Sequence, residues 1–194
     1  MTRATRGVAT VADTICLQED LNKIYNWTEN ANMKLNDDKF EVLRYGTNNE
    51  LKESTTYTTP KGLPIEAKTE VKDLGVVMSD DNKFNKQIDQ VITKAKNMAS
   101  WILRTFHTRA RVPMLTLYKS LVLPILEYCS VLWCPLSVGN KQKIEAVKWS
   151  FIRKIAGTRN MNYWQTLHEL KIYSLERGRE RYCMWIIYMW KILE

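Results

Sequence analysis

Two hydrophobic rhythms divide the chain. From residue 84 onward, Phe84, Ile88, Val91, Ile92, Ala95, Met98, Ala99, Ile102 and Phe106 recur with a 3.6-residue period, which predicts one long amphipathic helix. Further helical patterns fall at roughly 113–123, 125–134, 140–156, 162–170 and 174–193. Pro113 suits a helix start, Pro124 a break or kink, and Gly157 a stop. Before residue 84 the pattern is mixed. Leu17, Leu21, Ile24, Trp27 and Ala31 predict a helix that Asp13 or Thr14 caps. Asn36-Asp37-Asp38 is a turn signal, and residues 40–45 alternate as a strand that Gly46 ends. Residues 47–64 are polar, with two prolines and a glycine, so a hairpin or surface loop is expected there. Residues 65–78 hold two short strand candidates around Asp73 and Gly75, and Ser79-Asp80-Asp81 is placed to cap the long helix.

The expected fold is therefore α+β and mainly α. A small antiparallel sheet in residues 1–83 precedes an all-helical part in residues 84–194. With 45% apolar residues, seven tryptophans and nine tyrosines, the chain can bury a sizeable core.

Charge sharpens the division. Residues 1–83 carry 11 Lys/Arg against 14 Asp/Glu, whereas residues 84–194 carry 18 against 7. A segment with so large a cationic excess is suited to a polyanion, most simply nucleic acid. The cations that invite this reading are Lys86, Lys94, Lys96 and Arg104 on the long helix, and Arg109 and Arg111 in the turn after it. Trp101, Trp133, Trp149, Trp164, Trp185 and Trp190 lie at helical spacing among Ile, Leu and Met, so they are expected in the core rather than stacked on bases. Cys16, Cys129, Cys134 and Cys183 have no C-x-x-C spacing and are expected as reduced, mostly buried thiols of an intracellular protein, cytoplasmic or nuclear. No zinc-ligand spacing, phosphate-cradling glycine loop or small-molecule site is evident, and His107 and His168 stand without catalytic partners. The N-terminal residues are not a convincing signal peptide. The most apolar run, 114–134, is interrupted by Lys119, Pro124 and Glu127 and is not expected to cross a membrane.

Several spaced motifs carry a resemblance. L-Q-E-D-L-N-K-I-Y-N-W (17–27) precedes N-x-x-K at Asn36 and Lys39 ahead of a strand, and D-L-G-V (73–76) follows. Downstream come L-V-L-P-I-L-E-Y-C-S-V-L-W (121–133) and S-L-E-R-G-R-E-R-Y (174–182), the latter a basic run interrupted by Gly178. In this order they resemble the back end of the reverse transcriptase of non-long-terminal-repeat retrotransposons of the jockey-like kind. The resemblance implies the end of a palm, a primer grip at Leu74, Gly75 and Val76, and a thumb beginning with the long helix. It also implies a role for Lys39 near an incoming triphosphate.

The family's full-length enzymes imply magnesium, held by aspartates at a strand turn. Here Asp37-Asp38 reads as a solvated turn, Asp80-Asp81 as a helix cap, and Thr14 follows Asp13 where a second carboxylate would be needed. The expectation is a truncated RNA-directed DNA polymerase fragment from a degenerate element, without cofactor or activity of its own, that retains at most binding to a template–primer backbone. The alternative is a non-enzymatic nucleic-acid-binding or protein-interaction module. Oligomeric state is not legible.

Overall fold

The computed structural model describes the backbone of residues 7–46 and 49–193; the side chains of 49, 51, 186, 187 and 189–193 lie outside the described set. The fold is α+β and mainly α. It divides into two compact units, Met1–Lys83 and Phe84–Glu194, at the point where the hydrophobic period changes.

In the first unit, α1 spans Val11–Asn30. Its cap is Thr10 rather than Asp13 or Thr14. The Thr10 hydroxyl accepts from the Asp13 N–H at 3.3 Å, and the Asp13 carboxylate accepts from the Thr10 N–H at 2.9 Å. This reciprocal box satisfies two donors at once and moves the helix start ahead of the periodic leucines. Leu17, Leu21 and Ile24 are half-buried, and the fully buried positions are Tyr25 and Thr28, so Trp27 is left 60% exposed. Tyr25 stacks on Phe40 at 5.1 Å between ring centres.

A 3-10 turn, Asp37–Lys39, leads into β1, Glu41–Leu43. Residues 49–64 depart from the expected hairpin or surface loop in their first part only. They include a short helix, α2 (Asn49–Ser54), and then a single antiparallel bridge, Thr58 to Pro64, flanked by buried Tyr57 and Ile65. The Arg44 guanidinium donates to the carbonyls of Lys52 and Thr55, supplying partners to the end of a helix too polar to show a hydrophobic period. Gln18 fixes the bridge to α1 by a paired hydrogen bond, donating to the Thr58 carbonyl at 2.8 Å and accepting from its N–H at 2.9 Å.

Strands β2 (Glu66–Lys68), β3 (Glu70–Asp73) and β4 (Val76–Ser79) follow. The hairpin β3–β4 is antiparallel as expected, whereas β1 pairs with β2 in parallel. The parallel pairing is possible because the long insert between them supplies the crossover that two-residue turns cannot.

The β3–β4 turn is two residues long, with Asp73 opposite Val76. Leu74 and Gly75 both take positive φ, 47° and 84°. This mirror-image turn matches strand twist and favours Asn-Gly at its two positions. Leucine is strained there, and Leu74 lies 72% exposed. Leu74→Asn is therefore expected to raise stability by about 1 kcal/mol, and Gly75→Val to lower it by about 1–2 kcal/mol. Urea denaturation of both variants checks this; the reverse order would show that the turn does not adopt this geometry.

Among the described residues of the second unit, every regular element is a helix. Asp80-Asp81 do not cap its first helix. The Asp81 carboxylate accepts from the Ser79 hydroxyl at 2.6 Å and the Lys83 N–H at 2.9 Å, holding a local turn, and Asn82 at φ 55° turns the chain before the helix starts. Helix α3, Asn85–Thr105, then begins after Phe84 without a side-chain cap. It buries Ile88, Val91, Ile92, Ala95, Ala99 and Ile102, six of the nine positions its period marks. Phe106 lies past its end in extended backbone and is 36% exposed, since the stripe stops with the helix.

Helix α4 (Arg111–Leu117) passes through one widened π turn, Tyr118–Val122, into α5, Leu123–Glu127. Pro124 lacks the N–H an α turn would use, and the widened turn just ahead of it absorbs the missing bond. The helix expected at 125–134 stops at Glu127, because Tyr128 turns to extended backbone and Cys129 takes φ 50°. Trp133 anchors the segment that follows: its indole N–H donates to the Tyr128 carbonyl at 2.8 Å and its ring is fully buried.

Helices α6 (Val138–Ile152), α7 (Tyr163–Leu170) and α8 (Leu175–Leu193) complete the unit. Ser137 caps α6, and Asn162 with Gln165 forms a capping box on α7. The centre is Ile102, Met114, Tyr118, Val122, Leu126, Trp133, Ile144, Val147, Phe151 and Ile152, nearly sealed from solvent. Two expectations fail here. Of the described tryptophans only Trp133 is fully buried; Trp101, Trp164 and Trp185 are exposed and Trp149 half-buried, while Trp190 lies outside the described side chains. The four cysteines are free, but Cys129 and Cys134 are exposed rather than buried, being on the non-helical segment around Trp133. No helix among the described residues is long and apolar enough to cross a membrane.

Candidate nucleic-acid interface

Helix α3 separates its chemistry by angle. At 100° per residue, Ile88, Val91, Ile92, Ala95, Ala99 and Ile102 gather about one line, and Lys86 and Arg104 fall together on the opposite line. Lys94 and Lys96 flank that line by about 80° on either side. All four cations are exposed. They extend along about 27 Å of helix, on an arc that holds a single acid, Asp89. Buried apolar packing on one side fixes the helix, so the cations are presented from a rigid rod. An array of this kind attracts phosphates by charge and carries no means of reading base edges.

Arg109 and Arg111 belong to another job. Arg109 donates to the carbonyls of Leu103 (2.8 Å), Thr108 (3.0 Å) and Phe106, closing the end of α3. Arg111 donates to the Glu169 carboxylate at 2.8 Å and to the Glu169 backbone carbonyl, joining α4 to α7. Both guanidiniums are half-buried with much of their donor capacity spent. The structure thus keeps Lys86, Lys94, Lys96 and Arg104 together and sets Arg109 and Arg111 apart from them.

The basic run at 174–182 divides: Arg179 turns inward, whereas Arg177 and Arg181 stay exposed. Arg179 is 7% exposed, with its guanidinium 5.3 Å over the Trp133 ring and one N–H donating to the Leu126 carbonyl at 3.3 Å. Arg177 and Arg181 lie over the Tyr173 ring at 5.5 and 4.6 Å. Gly178, between them, is where α8 passes Glu127: a methyl there would meet the carboxylate oxygen at 3.6 Å, an ordinary contact.

In the first unit, Lys39 ends the 3-10 turn and is exposed. Asn36 caps the turn by accepting from the Asp38 N–H at 3.0 Å. The Asp37 carboxylate accepts from the Tyr25 hydroxyl at 3.2 Å and from Lys61, and the Lys61 bond holds it below the usual carboxylate range. Leu74 and Gly75 form the exposed tip of the β3–β4 hairpin, and Val76 is buried behind them.

The magnesium that the resemblance implies does not fit these residues. Asp13 is committed to the α1 cap, Asp37 to Tyr25 and Lys61, and Asp81 to its own turn. Among the described residues no group of three or more His, Cys, Asp or Glu side chains is arranged to hold a metal ion.

One exposed side chain beside the cationic arc runs against the expectation from its residue type. Trp101 is 47% exposed and lies about 120° from the centre of the buried stripe of α3, on the flank of the cationic arc. The helical period carries that signal, because angle and not residue type decides which face of a packed helix a side chain takes. No family model matches the chain, and no match to it was found among curated proteins or solved structures.

Proposed function

We propose that this chain is the rear portion of a retrotransposon-type reverse-transcriptase core, comprising the end of a palm, a primer-grip hairpin and a thumb. As a separate chain it binds nucleic acid by the backbone and does not synthesise DNA. The observation that carries the reading is the cationic arc of α3, opposite a buried stripe and supported by a packed helical unit. The exposed two-residue turn at Leu74-Gly75 suits the primer-grip role that the motif order suggests. The commitments of Asp13, Asp37 and Asp81 to local caps and an ion pair support the absence of polymerase activity.

Binding of the full chain to a labelled oligonucleotide, followed by anisotropy between about 50 and 200 mM salt, tests this. Four phosphate contacts predict a log–log salt slope of about −3 to −4. The variant Lys94→Glu/Lys96→Glu/Arg104→Glu is expected to flatten that slope by about 3 and weaken binding on the order of a hundredfold. A slope near zero for the unaltered chain would overturn backbone binding. Primer extension with magnesium is expected to give no incorporation; incorporation above background would overturn the assignment of the aspartates.

The interaction-module reading has one observation in its favour. Trp27 on α1 is exposed although it belongs to the helix's periodic set. A full chain that stays monomeric and shows the salt slope above leaves that reading without support.

A further inference from the structure

Trp101 and Phe106 form an aromatic pair at the C-terminal end of the cationic arc. Their rings meet edge to face, 6.3 Å apart at 85°, and both are open to solvent at 47% and 36%. An exposed tryptophan on a well-packed amphipathic helix gains nothing from the core it faces away from. Bracing by Phe106 limits the ring's freedom, so less order is lost when a flat partner stacks on it. Lys94 lies on nearly the same line of the helix, about 10 Å away along the axis, and Arg104 is one turn further on. A charged track with an aromatic side chain between its cations is the arrangement that holds a strand by its phosphates and stacks one of its bases.

We propose that Trp101, braced by Phe106, stacks on an unpaired base, so that the α3 surface selects a single strand or an overhang over a fully paired duplex. This inference rests on the backbone-binding reading above and adds the class of ligand. A blunt duplex offers phosphates to Lys94, Lys96 and Arg104, but its base faces are already stacked on one another. The Trp101 ring therefore contributes only where a base is free.

The test compares binding of the full chain to a fluorescein-labelled 20-nucleotide single strand and to the blunt duplex of the same sequence, for the unaltered protein and for Trp101→Ala, Trp101→Phe and Lys94→Gln. Trp101→Ala is expected to weaken single-strand binding about tenfold, the order of one lost base stack. Duplex binding should change less than about twofold, with the salt slope unaltered. Trp101→Phe should recover most of the loss, because it restores an aromatic face. Lys94→Gln should weaken both forms and lower the slope by nearly one unit.

Equal losses for Trp101→Ala on single strand and duplex, or no loss on either, overturn the stacking role while leaving backbone binding intact. A chain that binds neither form with a salt slope overturns both readings together. Thermal unfolding of Trp101→Ala close to that of the unaltered chain is expected from its exposure. A large drop would place the ring in the core and count against the proposal.

Discussion

Replacing Trp133 with alanine is expected to lower the stability of the helical unit by about 4 kcal/mol, within the range for truncating a sealed aromatic side chain. Three losses coincide at this position. The ring is fully buried, so its removal leaves a cavity. Its indole N–H no longer satisfies the Tyr128 carbonyl, which it meets at 2.8 Å. The Arg179 guanidinium, 5.3 Å over the ring and 7% exposed, loses the π face that compensates part of its desolvation. Burial already pushes that guanidinium below its ordinary value, so it has little compensation to spare.

Against a typical domain stability of about 5–15 kcal/mol, the loss would leave a substantial unfolded fraction under mild stress. Guanidinium denaturation monitored by tryptophan emission reads the second unit almost alone, because every tryptophan except Trp27 lies in it. Trp133→Phe keeps most of the volume and removes only the N–H bond, for a loss of about 1–2 kcal/mol. If alanine cost no more than phenylalanine, the ring would not be the anchor of residues 128–134.

The same residues show what could be read from sequence. Helix α3 was legible because its buried and charged positions separate cleanly by angle, and such separation survives any tertiary arrangement. The two-unit division was visible in the change of period at residue 84, and the β3–β4 hairpin in the short D-L-G-V turn. Other elements depended on partners distant in sequence. Helix α2 has no apolar stripe and is closed by Arg44 from the preceding strand region. The α1 start is set by a reciprocal bond between Thr10 and Asp13, which a search for the cap nearest the first leucine overlooks. The end of α5 is set by Cys129 in a left-handed conformation that cysteine does not advertise.

The candidate interface divides in the same manner. The shared exposed face of Lys86, Lys94, Lys96 and Arg104 was legible from periodicity alone, whereas Arg109 and Arg111 look identical to them in sequence. Their acceptors, the end of α3 and Glu169, exist only in the fold. Residue type is a poor guide in one direction: tryptophan favours a core by its apolar area, yet Trp101 is turned outward by its angle on the helix.

Glu145→Ala is expected to destabilise the helical unit by about 3–5 kcal/mol, because it strips the partner from a buried ammonium. Lys148 is 1% exposed on α6, one turn after Glu145, with 3.6 Å between its ammonium and the carboxylate. Its other partner is the Tyr173 carbonyl. Glu145 in turn accepts from the Tyr163 hydroxyl and, at 2.9 Å, from the Leu175 N–H at the start of α8. One carboxylate thereby ties α6, α7 and α8 together and neutralises the one buried lysine among the described residues.

Burial pushes the Lys148 ammonium below its ordinary value of 10.5, while Glu145 pulls it back up. The native state then holds fewer protons than the unfolded chain just below 10.5, so this lysine's contribution to stability rises as pH climbs through that window. Without Glu145 the depression deepens and the window extends downward in pH. Glu145→Ala should therefore recover part of its loss between pH 7 and pH 9.5, by more than the unaltered chain gains.

Lys148→Met removes the charge and keeps an apolar stem of similar length, so it should abolish this local alkaline gain. The double variant Glu145→Ala/Lys148→Met should be more stable than Glu145→Ala alone, since no ammonium remains to be left unpaired. Denaturation midpoints of the four proteins at the two pH values decide the matter. A double variant no more stable than Glu145→Ala would mean that the penalty comes from the lost Tyr163 and Leu175 bonds and not from a stranded charge.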